Sequence, residues 1–530
     1  MNPILGKKGA VVAPNSLAAQ AGLDILREGG NAIEATIAVA STLAVVYPHM
    51  TGIGGDGFWL IHAPGQEMQA IDACGASGHR VTPELYGNSP SIPWRGPLAA
   101  NTVAGTISGW GLAYRYSQEQ MGGKIPFSRL LESAIDYASK GYPVTHSQVN
   151  NTRAKAPELT AQTGFTQTFM DKNKEVPSYG QTHRFPVLAQ TLQQIASAGA
   201  EDFYRGDLSK LIAQDLESVG SPLQLLDLQS HQALLRSPLS LQLASAQLFN
   251  TAPPTQGLAS LLILGIYEKI KQADWSADHV KGIHGLVEAT KQAFKIRDQY
   301  VTDPGSMTCR LEDLLREDFI LDLSKNINFE AASPWPAPKS DGDTTWLGVI
   351  DAQGRAVSMI QSIYFEFGSG VVLPQTGIWW QNRGCSFDLR PEQLRSLGPR
   401  LKPFHTLNPA MAKLSDGRLM VYGTMGGEGQ PQTQSAVFSR YVWDGHHPRS
   451  AVASPRWLLG KTWAEQSTTL KLEARYGAEV IEGLKAMGHP VEVVPDHDER
   501  LGHAGVLVLH PNGLIEGGED PRSDGCVAAW

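Results

Sequence analysis

The sequence predicts an α+β protein in which sheets are covered by helices. Three observations predict it: two helical stretches near the N-terminus, a β-hairpin directly after them, and a dense run of strand patterns in the last third of the chain. Helical patterns lie mostly in the first two thirds, and apolar faces of both kinds must bury one another.

Leu17, Ala21, Ile25 and Leu26 recur at helical spacing behind Asn15 and Ser16, both cap-type residues, and Gly29–Gly30 stop that helix. A second helix is predicted over Ala32–Val46, ended by Pro48. After a glycine-rich loop, Phe58–His62 and Met68–Ala73 read as a hairpin about Pro64-Gly65. Ser324–Asp343 holds three prolines and little apolar periodicity, so it reads as an exposed, mobile segment. Thr345–Asp351 then alternates as a strand. Ala352-Gln353-Gly354 turns, and Val357–Ile360 returns. Gly417–Gly423 and Val506–Leu509 are further strands, the latter answered by Leu514–Ile515 across Pro511-Asn512-Gly513. No internal repeat is visible.

Of the 530 residues, 42% are hydrophobic and 18% charged, a globular composition long enough for a large core. With 44 basic against 52 acidic side chains the net charge is -8, and no basic cluster is present, so a nucleic-acid partner is not expected. The four cysteines are scattered without a CxxC pair, which argues against a disulfide framework or a structural zinc site. No apolar segment follows the lysines of Met1–Gly9, and the longest apolar stretch, Ala35–Val46, is too short to span a bilayer. The expectation is a soluble, cytoplasmic protein without a membrane partner.

Several catalytic-looking motifs fail on context. Gly52-Ile53-Gly54-Gly55-Asp56-Gly57 fits GxGxxG, but a loop precedes it and a strand follows it, the reverse of a dinucleotide site. It reads as a tight backbone turn. Gly460-Lys461-Thr462 resembles the end of a phosphate loop, yet the glycine required upstream is Pro455. There is no GxSxG and no HExxH. His497 and His503 sit in a charged, loop-like segment and read as a solvated turn. No metal and no cofactor are expected.

Asp343-Thr344-Thr345-Trp346 stands where the proline-rich segment meets a strand. A threonine on such a turn can attack the preceding carbonyl. Hydrolysis after the N→O acyl shift would free Thr344 as a new N-terminus. Its hydroxyl would then be the nucleophile and its α-amine, titrating near ~7.7–8, the base.

Further motifs accompany it: Gly29-Gly30-Asn31-Ala32 with its small-residue helix, Gly52-Ile53-Gly54-Gly55, Phe367-Gly368-Ser369-Gly370, Thr424-Met425-Gly426-Gly427 and Asp520-Pro521-Arg522. In this order, and over nearly the whole chain, they resemble the γ-glutamyltransferase family of N-terminal-nucleophile hydrolases. The resemblance implies a four-layer αββα sandwich, cut into a large subunit of residues 1–343 and a small subunit of residues 344–530 that stay together as a heterodimer, with a dimer of these a further possibility. It implies Thr344 as nucleophile, Ser362 as the second hydroxyl orienting it, and Gly426 and Gly427 as the oxyanion hole.

Four positions depart from the transferases. The arginine that grips the substrate α-carboxylate is replaced by Cys74, and the acid that grips the α-amine by Ser386. A serine pair becomes His405 and Thr406, and an asparagine near the nucleophile becomes Tyr364. A new guanidinium appears at Arg383, beside Asn382, and suits bidentate capture of a carboxylate. The expected site is therefore small and anion-binding, with Trp379, Trp380 and Tyr364 leaving little room for a bulky group. This combination resembles the branch of the family that hydrolyses oxamate, H2N–CO–COO⁻, in purine and ureide breakdown. Alternatives are a glutaryl- or cephalosporin-type acylase, a γ-glutamyl hydrolase or transferase, and an uncut binding protein with the same fold.

Overall fold

The computed structural model describes residues 2–335, 343–460 and 467–530. Two seven-stranded antiparallel sheets lie face to face. The first runs, edge to edge, through Ile4–Gly6, Ile515–Glu519, Ala504–Leu509, Leu419–Thr424, Ala410–Leu414, Ala246–Asn250 and Leu239–Gln242. The second runs through Cys526–Ala529, Gly9–Ala13, Asp343–Asp351, Ala356–Tyr364, Asp56–His62, Gln69–Ala73 and Leu234–Arg236. Both sheets take strands from both sides of the Asp343–Thr344 junction.

The period of two along each strand builds the layers. Val12, Phe58, Leu60, Trp346, Ile350 and Ile360 point from the second sheet into one apolar layer with Phe249, Met411, Val421 and Leu507 of the first. Their neighbours Val11, Trp59, Ile61, Leu347, Val349 and Met359 face the other way, against the N-terminal helices. On the outer face of the first sheet, Leu248, Ala412, Met420 and Val508 pack under the helices Gly257–Ile270 and Val280–Tyr300. The order is helix, sheet, sheet, helix: the four-layer αββα sandwich.

The predicted local elements form. Asn15 caps the helix Ser16–Arg27 by accepting from the Leu17 N–H. Asn31 and Glu34 make a capping box on Ala32–Val46, a helix buried at all of its 15 positions. Asp351, at the end of the Asp343–Asp351 strand, accepts the Ala32 N–H at 3.0 Å, so the anion sits at the positive end of that helix. The hairpin pairs Phe58 with Asp72 and Leu60 with Ala70. No helix among the described residues is long and apolar enough to cross a membrane.

Ser324–Asp343, read as exposed and mobile, is mostly exposed over its described residues, and its backbone is tethered at three points. His284 Nε2 bonds the Asn328 carbonyl at 2.8 Å, Lys291 Nζ bonds the Ser333 carbonyl at 2.6 Å, and the Ala332 N–H bonds the Met487 carbonyl at 2.7 Å. The buried Glu288–Lys291 ion pair and His284 need polar partners, and the backbone of this segment supplies them. Residues 336–342, and Lys461 and Thr462, lie outside the described residues.

Candidate active site

The site forms at one end of the gap between the sheets, where strand ends of both converge. Asp343–Asp351 begins there, Ala356–Tyr364 ends there and Asp56–His62 begins there. On the ladder Asp343 pairs with Tyr364, and Thr345 with Gln361. The shift of register leaves two residues, Ser362 and Ile363, opposite Thr344, a bulge of the kind that re-aims a side chain. Ser362 in turn pairs with Asp56. Thr344, Ser362 and Asp56 thus form a row across three strands, on the face that also carries Trp346, Ile360 and Phe58.

All three are buried. The Ser362 hydroxyl accepts the Tyr364 N–H at 2.8 Å, within a turn where Tyr364 holds a φ of 81°. Gln430 Nε2 donates to Thr344 Oγ1 at 3.4 Å, and Gln430 Oε1 accepts the Asn408 N–H at 3.2 Å, which turns the amide's NH2 toward the threonine. The loop Gly52–Gly57 is the predicted tight turn, and its function is close approach. A Cβ on Gly55 would lie 2.0 Å from the Ser362 carbonyl oxygen, and one on Gly54 2.2 Å from that of Trp379. Only glycine lets this loop lie against the strand and deliver Asp56.

Facing this row, the strand Leu419–Thr424 runs into Gly426 and Gly427, with φ of 112° and 51°. These left-handed torsions turn the backbone sharply before the helix Gly429–Phe438, whose N-terminal end points back at the site. The turn is braced from behind. Arg456 Nη1 bonds both the Gly502 carbonyl, at 2.6 Å, and Asp520 Oδ2, at 2.7 Å. Asp520 also accepts the Ala504 N–H and the Arg522 guanidinium. The Asp520-Pro521-Arg522 motif is thus part of a buried ion network rather than a ligand site. His503 belongs to the same region: its backbone carbonyl accepts the Met425 N–H, and its ring is buried near Tyr47. The expectation of a solvated turn fails for His503, because the chain here re-enters the sheet; it holds for His497, which is exposed.

Arg383 is fully buried. Its guanidinium lies 3.7 Å from the centre of the Tyr364 ring, and Nη1 reaches Thr406 Oγ1 at 3.4 Å. Tyr364 is the ladder partner of Asp343, so the cation stands over the residue next to the junction. Arg383 Nε and Nη2 have no hydrogen-bond partner. Burial pushes its pKa down to about 10, which still leaves it charged at neutral pH. Beside it, His405 Nε2 lies 3.0 Å from Asp56 Oδ2, while Asp56 Oδ1 accepts the Gly75 and Gly105 N–H groups. Burial raises the Asp56 carboxyl to about 7. Burial, together with the nearby charges of Arg383 and Lys402, holds His405 well below its ordinary range. His405 Nδ1 is also unpartnered.

Asn382 turns both ends of its amide to backbone, accepting the Phe365 N–H and donating to the Trp94 carbonyl, so it shapes the turn under Tyr364. Trp379 and Trp380 are core residues, their indole N–H groups bonded to the Thr51 and Thr102 carbonyls, and they do not limit the site as expected. Cys74 is buried with its thiol pushed up by burial, and the Ser386 hydroxyl is bonded to the Phe404 carbonyl. Asp56, Cys74 and His405 bring ligand-type atoms within 4.8 Å of one another. The charge of Arg383 beside them and the hydrogen bonds already taken by Asp56 make this a setting for an anion rather than a cation. Asp56, Gln430 and Gln256 escaped the sequence reading; the Asp inside the rejected GxGxxG was the one signal available.

The model of the family described as gamma-glutamyltranspeptidase matches residues 18–530. The chain is 52% identical over 522 residues to the oxamate amidohydrolase proenzyme of Klebsiella pneumoniae subsp. pneumoniae, covering 98% of each chain. It is 39% identical to the glutathione hydrolase-like YwrD proenzyme of Bacillus subtilis, covering 99% of each. The crystal structure of a cephalosporin acylase from Bacillus halodurans superposes with a TM-score of 0.91 at 32% identity, covering 100% of this chain and 97% of the other. With the family model spanning nearly all of its length, and the four-layer sandwich and glycine turn in place, the chain belongs to the γ-glutamyltranspeptidase family.

Proposed function

We propose that this chain is a self-cleaving amidohydrolase that converts oxamate to oxalate and ammonia. The observation that carries the reading is Arg383: a buried cation beside Tyr364, His405 and Thr406, with two N–H groups unpartnered. Leaving a buried guanidinium partly unpaired is costly, and a ligand carboxylate is the group that repairs it. The similarity to the Klebsiella oxamate amidohydrolase proenzyme supports the same substrate. So does the missing amine grip, since Ser386 is turned to backbone.

Cleavage at Asp343–Thr344 divides the chain into residues 1–343 and 344–530, that is 343 residues and 530 − 343 = 187 residues. Because the sheets interleave strands from both parts, the subunits stay together. The freed α-amine of Thr344 accepts the hydroxyl proton as Oγ1 attacks the amide carbon of oxamate. The N–H groups of the Gly426–Gly427 turn receive the developing oxyanion, and Arg383 holds the carboxylate. The amine returns the proton to the departing ammonia, leaving an oxalyl ester on Thr344. Water, deprotonated by the same amine, then releases oxalate. A place in cytoplasmic purine and ureide breakdown goes with this reading. Intact mass under denaturing conditions, followed by ammonia release from oxamate and from a glutaryl amide, tests it. Two fragments meeting at Thr344 with ammonia from oxamate alone is the expected result; a glutaryl amide turned over in preference would move the assignment to an acylase.

Asp56 gives the reaction a pH dependence. Below about pH 7 its carboxyl is neutral and the charge of Arg383 is uncompensated; above it, the carboxylate competes with the substrate. KM for oxamate is expected to rise as pH increases through about 7 and to lose that rise in Asp56→Asn. The same shift sets a stability trend. A carboxyl whose pKa is raised by folding stabilises fully below its unfolded value, near ~4, and that contribution is lost as pH rises to about 7. Denaturant titrations should therefore show Asp56→Asn with a flatter stability profile across that window.

A further inference from the structure

Two segments must hold opposite ends of so short a substrate. His405–Thr406 lies on the carboxylate side, just before the strand Ala410–Leu414, and Gly426–Gly427 lies on the carbonyl side, just after its neighbour Leu419–Thr424. One buried side chain joins them. Gln256 precedes the helix Gly257–Ile270, and its carboxamide NH2 donates one hydrogen to the Thr406 carbonyl at 2.7 Å and the other to the Gly427 carbonyl at 2.8 Å. Its Oε1 accepts from Arg297 Nη1 at 3.0 Å, and its backbone N–H bonds the His405 carbonyl at 3.0 Å.

Arg297 is itself fixed. It is buried, and its Nη2 bonds Glu428 Oε1, on the residue after Gly427, at 3.1 Å. The Gln256 amide can therefore sit only one way round. Flipped, its oxygen would face two carbonyls and its NH2 a guanidinium. The arrangement is a closed loop running from Gly427 through Gln256 and Arg297 to Glu428, with Thr406 attached at the same amide nitrogen.

We propose that Gln256 is a positioning residue that sets the spacing between the carboxylate pocket and the oxyanion turn, and with it the length of acid amide the enzyme accepts. The proposal rests on the reading of Gly426–Gly427 as the oxyanion turn and of Arg383–Thr406 as the carboxylate pocket. Oxamate places its carboxylate directly on the reacting carbonyl carbon, malonamate places it one methylene away and succinamate two. A rigid bridge favours one of these; a slackened one favours none, because misplacement by about 1 Å costs on the order of 100-fold in rate.

The test compares Gln256→Glu, which keeps the shape but cannot donate to the two carbonyls, with Gln256→Met, which keeps roughly the volume but makes none of these hydrogen bonds. Each is assayed on oxamate, malonamate and succinamate, beside self-cleavage and melting temperature. The expected result is normal cleavage, kcat on oxamate lowered roughly 10- to 100-fold with a smaller change in KM, and a ratio of oxamate to malonamate kcat/KM reduced about 10-fold. Equal losses on all three amides, unchanged kinetics, or failure of both variants to fold would overturn the proposal, since each makes Gln256 a packing residue only. Gly427→Ala separates the premises. If its kcat collapses while the Gln256 variants keep the wild-type ratio, only the spacing claim is lost; if Gly427→Ala retains full kcat, the oxyanion reading goes first.

Discussion

Replacing Thr344 by alanine leaves the precursor uncut and without amidase activity. Both losses are expected from one cause, because in the proposed mechanism the same hydroxyl attacks first the peptide carbonyl of residue 343 and later the substrate. Thr344 is buried at the start of the strand Asp343–Asp351, opposite the bulge formed by Ser362 and Ile363, with Gln430 Nε2 at 3.4 Å from its oxygen. Removing an attacking hydroxyl from a preorganised site costs on the order of 10⁶-fold in kcat, so ammonia release should fall to background. Intact mass reads the first effect and ammonia release the second. A Thr344→Ala chain that still appears as two fragments would end the assignment of this residue. Thr344→Ser, which keeps the oxygen, should restore cleavage at a reduced rate.

Removing the guanidinium in Arg383→Ala should leave cleavage intact and cripple use of oxamate. The two functions separate because Arg383 reaches the site through Tyr364 and Thr406, not through Thr344. Losing a charge-assisted pair in a dry site costs about 2–5 kcal/mol, which is about 30- to about 5,000-fold in kcat/KM. Arg383→Lys should recover only part of this, since an ammonium offers no planar fork for two carboxylate oxygens. An Arg383→Ala enzyme with wild-type kcat/KM on oxamate would remove Arg383 from the substrate site, and with it the main support for a small anionic substrate.

The chain wrote its local elements plainly. The helix predicted over Ala32–Val46 forms with those bounds, capped by Asn31 in front of it and Glu34 in its first turn. Pro64-Gly65 sits between two apolar runs, and the hairpin pairs across it. The Thr344 motif and the glycine turn were legible as candidates because each is a run of adjacent residues, so motif and geometry coincide. Where sequence reading failed, the reason was burial. The segment after Ser324 is mostly exposed, as its polar pattern suggests, but the buried groups that tether it, His284, Glu288 and Lys291, stand about 40 to 50 residues away. Trp379 and Trp380 looked like pocket walls because they adjoin Asn382 and Arg383, yet their rings turn into the helix-side core.

By itself the sequence, through its resemblance to the family, pointed to the αββα class and set the expectations of a junction at Thr344, of an amine-binding acid exchanged for Ser386, and of an arginine at position 74 exchanged for one at position 383. Only the tertiary structure decided that Arg383 is buried against Tyr364 rather than exposed, that Asp56 underpins His405 from 349 residues away, and that Gln256 ties Thr406 to Gly427 across 150 and 171 residues. Adjacent residues announce themselves because hydrogen bonds within a turn, helix or hairpin depend on local spacing. A buried polar group, by contrast, takes whatever partner the packed sheets bring within about 3 Å, and the spacing along the chain carries no trace of that choice.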